Sequence, residues 1–503
     1  MRVKCQYWQM KKYSNSTPLF PGFHLQTLRR KKRSAQQKIA GKMAALQNKS
    51  IAQLEEAFGN FIPHEAIDTS SSDSFFRRRV FSAENTFRAF LSQVLSAGRG
   101  CQEVIRKIQA FASLKGAPIP SSSTAAYCKA RAKLDPENLR TVFKHTAHEM
   151  NGLSSRQAHW GRRVAVVDGT GFSMPDTLEN NACWPKQSQH KEGCGFPEGR
   201  LAGCFDLQSG GLLSYAYGNK HDAELTLFRH QRSLLEKGDI VLGDKGFCNY
   251  RDMALLQKEG IGSVMSLRKK MFRKSDIVKK LGENDYLAKW KRPHRYKPYT
   301  AEEWGQLPPF ILVRHLRIKA EVPGFRPEEI CVVTTLKDSE VYTFEELGDL
   351  YFERWDAELF SRDIKTTMGM DILRCKTPGM IIKELALHLI AYNCIRRLIV
   401  EAAEEGGVSI RKVSFKGALQ ALRNWEPHLN QTRISKKERF RMISELYGCI
   451  AQKTTPDRPG RSEPRAVKRR PKNHRLLTKP RHEMVVPSPR NRNWENKCKI
   501  TLS

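Results

Sequence analysis

The hydrophobic period along the chain changes twice. From Ile51 to about Leu153 apolar residues recur at helical spacing, as in Phe87, Phe90, Leu91, Val94 and Leu95, and again from Val104 to Phe111. A Pro-Ser-Ser-Ser loop (Pro120 to Ser123) leads into a short helix holding Lys129, Arg131 and Lys133. Ser and Thr ahead of a helix start are capping signals. Helices that end on a basic one read equally as a helix-turn-helix DNA reader or as a structural bundle with a solvated face.

At Arg163 the period shortens. Val164-Ala165-Val166-Val167 reads as a buried strand opening into a loop at Asp168-Gly169-Thr170, and Ile240-Val241-Leu242 as a second strand ending in Gly243-Asp244-Lys245. Between them Leu201 to Leu207 and Leu212 to Tyr217 form a hairpin across Ser209-Gly210-Gly211, and Ala223 to Leu235 an amphipathic helix. A helix over Tyr250 to Lys258 and a strand over Ser263 to Leu267 complete an α/β sheet. Residues 269–340 break this rhythm and read as a mostly β insertion, with strands at Phe310 to Arg317 and Ile330 to Thr335. Helix returns at Phe344, continues past Met368, and further helices run to about Tyr447.

These shifts divide the chain into a basic extension (1–42), a helical N-terminal domain (43–155), an α/β core in two parts (160–268 and 341–405) around the insertion (269–340), C-terminal helices (406–452) and a basic tail (453–503). Residues 1–42 hold 11 Lys/Arg and no acid; residues 451–503 hold 15 Lys/Arg and four acids. The two ends thus supply 22 of the 35 net positive charges. The tail, with its Lys468-Arg469-Arg470 run, has few aliphatic residues and is expected to stay extended until it meets phosphates. The first segment reads as an upstream extension, with Met43 as the start; its Arg-rich, acid-free composition also suits a transit peptide.

A net charge of +35 disfavours a free enzyme of small neutral metabolites and favours a polyanionic partner. No run reaches 18 uncharged apolar residues, and the most apolar stretch, Leu385 to Val400, contains His388, Arg396 and Arg397 and reads as a core helix. Twelve scattered cysteines without a CxxC pair read as thiols in a reducing cytoplasm rather than zinc ligands.

Three acids stand apart. Asp168 and Asp244 close apolar strands, and an Asp at a strand end in an α/β sheet faces the crevice where ligands bind; a loop or capping role is the ordinary alternative. Glu358 lies on the helix from Phe344, where Tyr351, Arg354, Glu358, Arg362 and Lys365 share one polar face. That face is either a solvated stripe of ion pairs or one side of a cleft.

The spacing Tyr351, Arg354, Glu358, Lys365 resembles the signature helix of bacterial DDE transposases, in the family typified by insertion sequence number four. VAVVDGTGF (Val164 to Phe172) and VLGDKGF (Val241 to Phe247) are similar to that family's first and second Asp motifs, with Lys245 where an Arg is frequent. The resemblance covers roughly residues 80–480. It implies a ribonuclease-H-like core, and cut-and-paste transposition by Asp168, Asp244 and Glu358 holding two Mg²⁺ ions, for which Mn²⁺ substitutes. It further implies duplex DNA as partner (element ends and target), a homodimer in the synaptic complex and a bacterial cytoplasmic location on the nucleoid. Arg354, Lys365 and Arg362 would hold phosphates and Tyr351 the terminal backbone. In relatives the ends pass through a hairpin while an aromatic captures a flipped base; Trp290 or Trp304 could do this, and core packing is the alternative for both. An inactive DNA-binding descendant and another nuclease on the same fold are the competing readings.

Overall fold

The structure, a computed structural model, describes residues 81–456 except 115, 154–158, 187–194, 269–275, 297–298, 321–327 and 430–434, together with 18–20, 23–24, 61–63 and 67. The chain divides into two units, residues 1–142 with 401–454 and residues 143–400 with 455–503.

The first unit is mostly helical, with one short antiparallel strand pair, Pro18–Phe20 and Phe23–His24. It contains α1 (Ala83–Leu95), α2 (Cys101–Leu114), α3 (Ala125–Lys133) and two later helices, Phe415–Leu429 and Lys436–Gln452. Ser82 caps α1 by accepting the Asn85 N–H at 3.1 Å. Every residue of α1 from Asn85 to Leu95 is buried, and Ala89 joins Val104, Ile105, Ile108 and Tyr127 in one apolar cluster. Lys107 reaches Glu426 on the first of the later helices at 2.9 Å.

The second unit is built on nine strands: β1 (Val164–Ser173), β2 (Glu198–Asp206), β3 (Leu212–Asn219), β4 (Ile240–Gly243), β5 (Gly262–Leu267), β6 (Ile277–Gly282), β7 (Asp285–Lys291), β8 (Phe310–Ala320) and β9 (Glu328–Thr334). They form one mixed sheet in the order β3-β2-β1-β4-β5-β9-β8-β7-β6, with β1, β4 and β5 parallel and the remaining pairs antiparallel. Most of α4 (Pro136–Gly152) lies in this unit, followed by α5 (Leu178–Cys183), α6 (Glu224–Arg229), α7 (Tyr250–Lys258), α8 (Ala301–Gly305), α9 (Phe344–Glu353), α10 (Trp355–Arg362) and α11 (Pro378–Glu405). No described helix is long and apolar enough to cross a membrane.

Three local expectations change. β1 does not stop before Asp168 but runs on to Ser173, because β2 pairs along its length from Ala165↔Asp206 to Ser173↔Glu198. The strands after residue 268 extend the central sheet, since β9 pairs β5 from Cys331↔Leu267 to Thr334↔Val264. The helix from Phe344 is not continuous. It breaks at Arg354, resumes over Trp355–Arg362 and ends in a wide turn, Asp363–Thr367, where the Met368 N–H reaches back to the Asp363 carbonyl.

One face of the sheet carries Ala165, Val167, Val241, Met265, Val313 and Val333 at alternate positions and packs on Met253, Ala254 and Leu256 of α7. Two buried ion pairs brace the sheet. Arg163 Nε donates to Asp239 Oδ1 at 3.0 Å, fixing the starts of β1 and β4. Arg314 grips Asp285 with two bonds of 2.8 and 2.5 Å and donates to the Tyr342 carbonyl, tying β7 and β8 to the loop before α9.

Candidate active site

The parallel pair β1 and β4 aligns Val164 with Ile240, Ala165 with Val241 and Val166 with Leu242. Carried two residues further, this register sets Asp168 level with Asp244 on strands roughly 4.8 Å apart. β5 lies beside β4 with Gly243 opposite Met265, so Ser266 and Arg268 emerge at the same edge. The Asp244 carboxylate accepts the Gly246 N–H at 2.7 Å, which shapes the turn leaving the sheet. Beside Asp168, the Glu224 carboxyl carbon packs over Gly169, 2.2 Å from where a Cβ would stand.

α9 and α10 supply the facing wall. Thr343 and Glu346 start α9 with a capping box. Tyr351 is buried at the cleft, beside Arg354. Arg354 stands at the junction of the two helices, its guanidinium 5.9 Å from the Tyr351 ring centroid and 3.0 Å from the Glu358 carboxylate. The Glu358 side chain is half exposed. Ser361, one turn beyond it, donates its hydroxyl to Asp168 Oδ2 at 2.6 Å.

These groups line an open cleft of about 840 Å³. Its acids are Asp168, Asp244, Glu329 and Glu358, and its cations Lys245, Arg268, Arg354, Arg362 and Lys365. The Asp168 carboxyl is pushed above the usual carboxylate range, first by burial and then by the neighbouring Glu224 and Glu358 charges; the Ser361 hydroxyl and Gly169 N–H oppose this. A carboxylate so placed is short of positive charge. Among the described residues no three acidic, His or Cys side chains lie close enough together to hold a metal ion. The donors nevertheless fit a hard divalent cation in kind, being carboxylate oxygens on neighbouring strands, with Glu358 turned toward Arg354 instead.

Of the residues singled out from sequence, Asp168, Asp244, Tyr351, Arg354, Glu358, Arg362 and Lys365 meet at this one cleft. Trp290 and Trp304 do not. Both are buried in the core of the sheet, where Trp304 Nε1 donates to the Pro293 carbonyl at 3.0 Å and Trp290 meets His315 edge-on. Arg131 is buried in the helical unit, bound to Gln93 and stacked 4.8 Å over the Phe90 ring, while Lys129 and Lys133 are exposed. Lys468, Arg469 and Arg470 lie outside the described residues.

Sequence reading passed over Ser361, Arg268 and Trp355, which also line the cleft. Ser361 follows Arg354 by seven residues, within about 20° on a helix, so the wheel could have found it. Arg268 follows its apolar strand much as Asp168 and Asp244 follow theirs. Trp355 is 49% exposed and stacks on Phe352 at 6.4 Å.

Asp168 on β1, Asp244 just after β4 and Glu358 on α10 thus line one cleft with five cations. Residues 159–394 match the family described as Transposase DDE domain. The likeness to insertion-sequence transposases read from the motifs therefore holds. Transposase InsG for insertion sequence element IS4, from Escherichia coli (strain K12), is 28% identical over 363 residues, spanning 70% of this chain and 78% of that protein. Among solved structures, the cryo-EM structure of the piggyBac transposase synaptic complex with hairpin DNA aligns with 81% of this chain and 85% of its own, at a TM-score of 0.38 and 8% identity.

Proposed function

We propose that the protein is the transposase of an insertion sequence: it binds the inverted repeats at the ends of its element, cuts there and joins the freed 3′ ends to target DNA. The observation that carries this reading is that Asp168 on β1 and Asp244 just after β4 line one cleft with Glu358 and five cations. The strand order β3-β2-β1-β4-β5, with only the last three parallel, supports a ribonuclease-H-like core.

Asp168, Asp244 and Glu358 would hold two Mg²⁺ ions, or Mn²⁺ in their place. When bound, these supply activation of an oxygen nucleophile and charge neutralisation at the leaving oxygen. The remaining work falls to the chain. Lys245, Arg268, Arg354, Arg362 and Lys365 hold backbone phosphates at the cleft, and the buried Tyr351 ring, 5.9 Å from the Arg354 guanidinium, keeps Arg354 in place. Glu358, paired here with Arg354, would hold the metal, and Arg354 would then hold phosphate. Trp355, exposed at the cleft, replaces the buried Trp290 and Trp304 as the aromatic on which a base of a hairpin end stacks. Bringing two ends together calls for two copies of the chain. The test is cleavage of a duplex carrying the sequences that flank the gene. Cutting at the element boundary with Mg²⁺, and none with chelator, is expected; no cutting at either boundary overturns the reading.

A further inference from the structure

Ser361 is the contact between the two halves of the site. It stands on α10, three residues after Glu358, and its hydroxyl reaches Asp168 on β1, 193 residues earlier in the chain, at 2.6 Å. Ser361 is buried and Asp168 half-buried, which limits competition from solvent for that bond. A carboxylate has about four acceptor positions. With Oδ2 bonded to Ser361, the rotation of the Asp168 carboxyl is restricted while acceptor positions remain for another partner. The wide turn begins two residues further on, at Asp363, whose Oδ1 accepts the Thr367 hydroxyl at 3.3 Å. Ser361 is thus held at the end of a regular helix, where small shifts of α10 pass directly to Asp168.

We infer that Ser361 is a positioning residue: it orients the Asp168 carboxylate for metal and couples that orientation to the seating of the Glu358 helix. This rests on the proposed reading of Asp168 as a metal ligand. Groups that hydrogen-bond a metal-binding side chain typically govern 10- to 100-fold of metal affinity or activity.

The experiment compares the full chain with Ser361→Ala, Ser361→Thr and Asp168→Asn. Mn²⁺ binding is followed by calorimetry without DNA, end cleavage across a Mg²⁺ series, and folding by thermal unfolding. Ser361→Ala should weaken Mn²⁺ binding about tenfold or more and raise the Mg²⁺ concentration for half-maximal cleavage by a like factor. Ser361→Thr, which keeps the hydroxyl, should restore both. Unchanged Mn²⁺ binding and Mg²⁺ midpoint in Ser361→Ala, beside an inactive Asp168→Asn, overturn the role of Ser361 alone. Equal losses in the Ala and Thr variants, with lowered unfolding temperatures, make Ser361 a packing residue and also overturn it. Full metal binding and cleavage by Asp168→Asn overturn the metal-ligand reading itself, and this inference with it.

Discussion

Asp168 and Asp244 each lie two residues beyond the paired Val166 and Leu242 of β1 and β4, whose parallel register is braced ahead of the strands by Arg163 and Asp239. Asp239 also accepts the Glu236 N–H at 2.7 Å, and Arg163 donates to Asn151 at 2.9 Å and to the Leu234 carbonyl at 3.1 Å. The polar end of the strand pair is thus fully bonded, and the apolar run between must deliver both aspartates to the same edge.

That anchorage predicts a large stability effect. Asp239→Ala leaves Arg163 buried without its counter-charge, which costs about 3–5 kcal/mol. Urea unfolding of wild type and variant measures it. A loss below about 1 kcal/mol would place the pair among exposed ion pairs of little consequence.

His315 gives a pH dependence. It is buried on β8, and burial pushes its imidazole down to about 4. The unfolded chain, with an ordinary value near 6.5, binds the proton more readily, so stability is full above about pH 6.5 and falls as pH drops toward 4. Between pH 7 and pH 5 the loss is about 2 kcal/mol, at 1.36 kcal/mol per unit. Unfolding midpoints at the two pH values, for wild type and His315→Gln, should differ by that amount in wild type only. An equal drop in both would exclude His315 as the source.

The three tryptophans should separate by phenotype. Trp355→Ala should leave folding intact and weaken binding to an end with an unpaired terminal base by about 1–3 kcal/mol, the worth of one stacked base. Trp290→Ala and Trp304→Ala should instead cost about 3–5 kcal/mol of stability, as large core truncations do. Fluorescence of 2-aminopurine at the end position, together with urea unfolding, reads both. Quenching that survives in Trp355→Ala would remove it from that role.

The acidic constellation was legible because its signals are local. An apolar run closed by an Asp, and a helix spacing of three, four and seven, need no knowledge of the rest of the chain. What escaped depends on distant partners. The Ser361–Asp168 bond spans 193 residues. The burial of Trp290 and Trp304 is decided by β7 and β8 folding over α7, and the extension of the sheet by β9 choosing β5. β1 outruns its apolar stretch because β2 pairs with the polar residues beyond it. The helix break at Arg354 carries no Pro or Gly to announce it.

The charges of residues 453–503 give a further prediction that rests on composition alone. If about five of the 15 Lys/Arg engage phosphates, deletion should lower the slope of log affinity against log salt by about 4 to 5 units, equally for end and random duplexes. Binding measured across a salt series shows it. An unchanged slope, or a loss confined to the end sequence, would contradict it.

The central claim is that three carboxylates hold metal for DNA cleavage, and end cleavage by ligand-exchanged variants tests it most directly. Asp168→Asn, Asp244→Asn and Glu358→Gln should each lose at least a hundredfold in Mg²⁺-dependent cutting while binding end DNA as wild type does, because the amide keeps shape and loses the charge. Asp244→Cys should be silent with Mg²⁺ and partly restored by Mn²⁺, which accepts sulfur more readily. Full cleavage with Mg²⁺ by any amide variant would contradict the assignment of that residue, and full cleavage by all three would contradict the account.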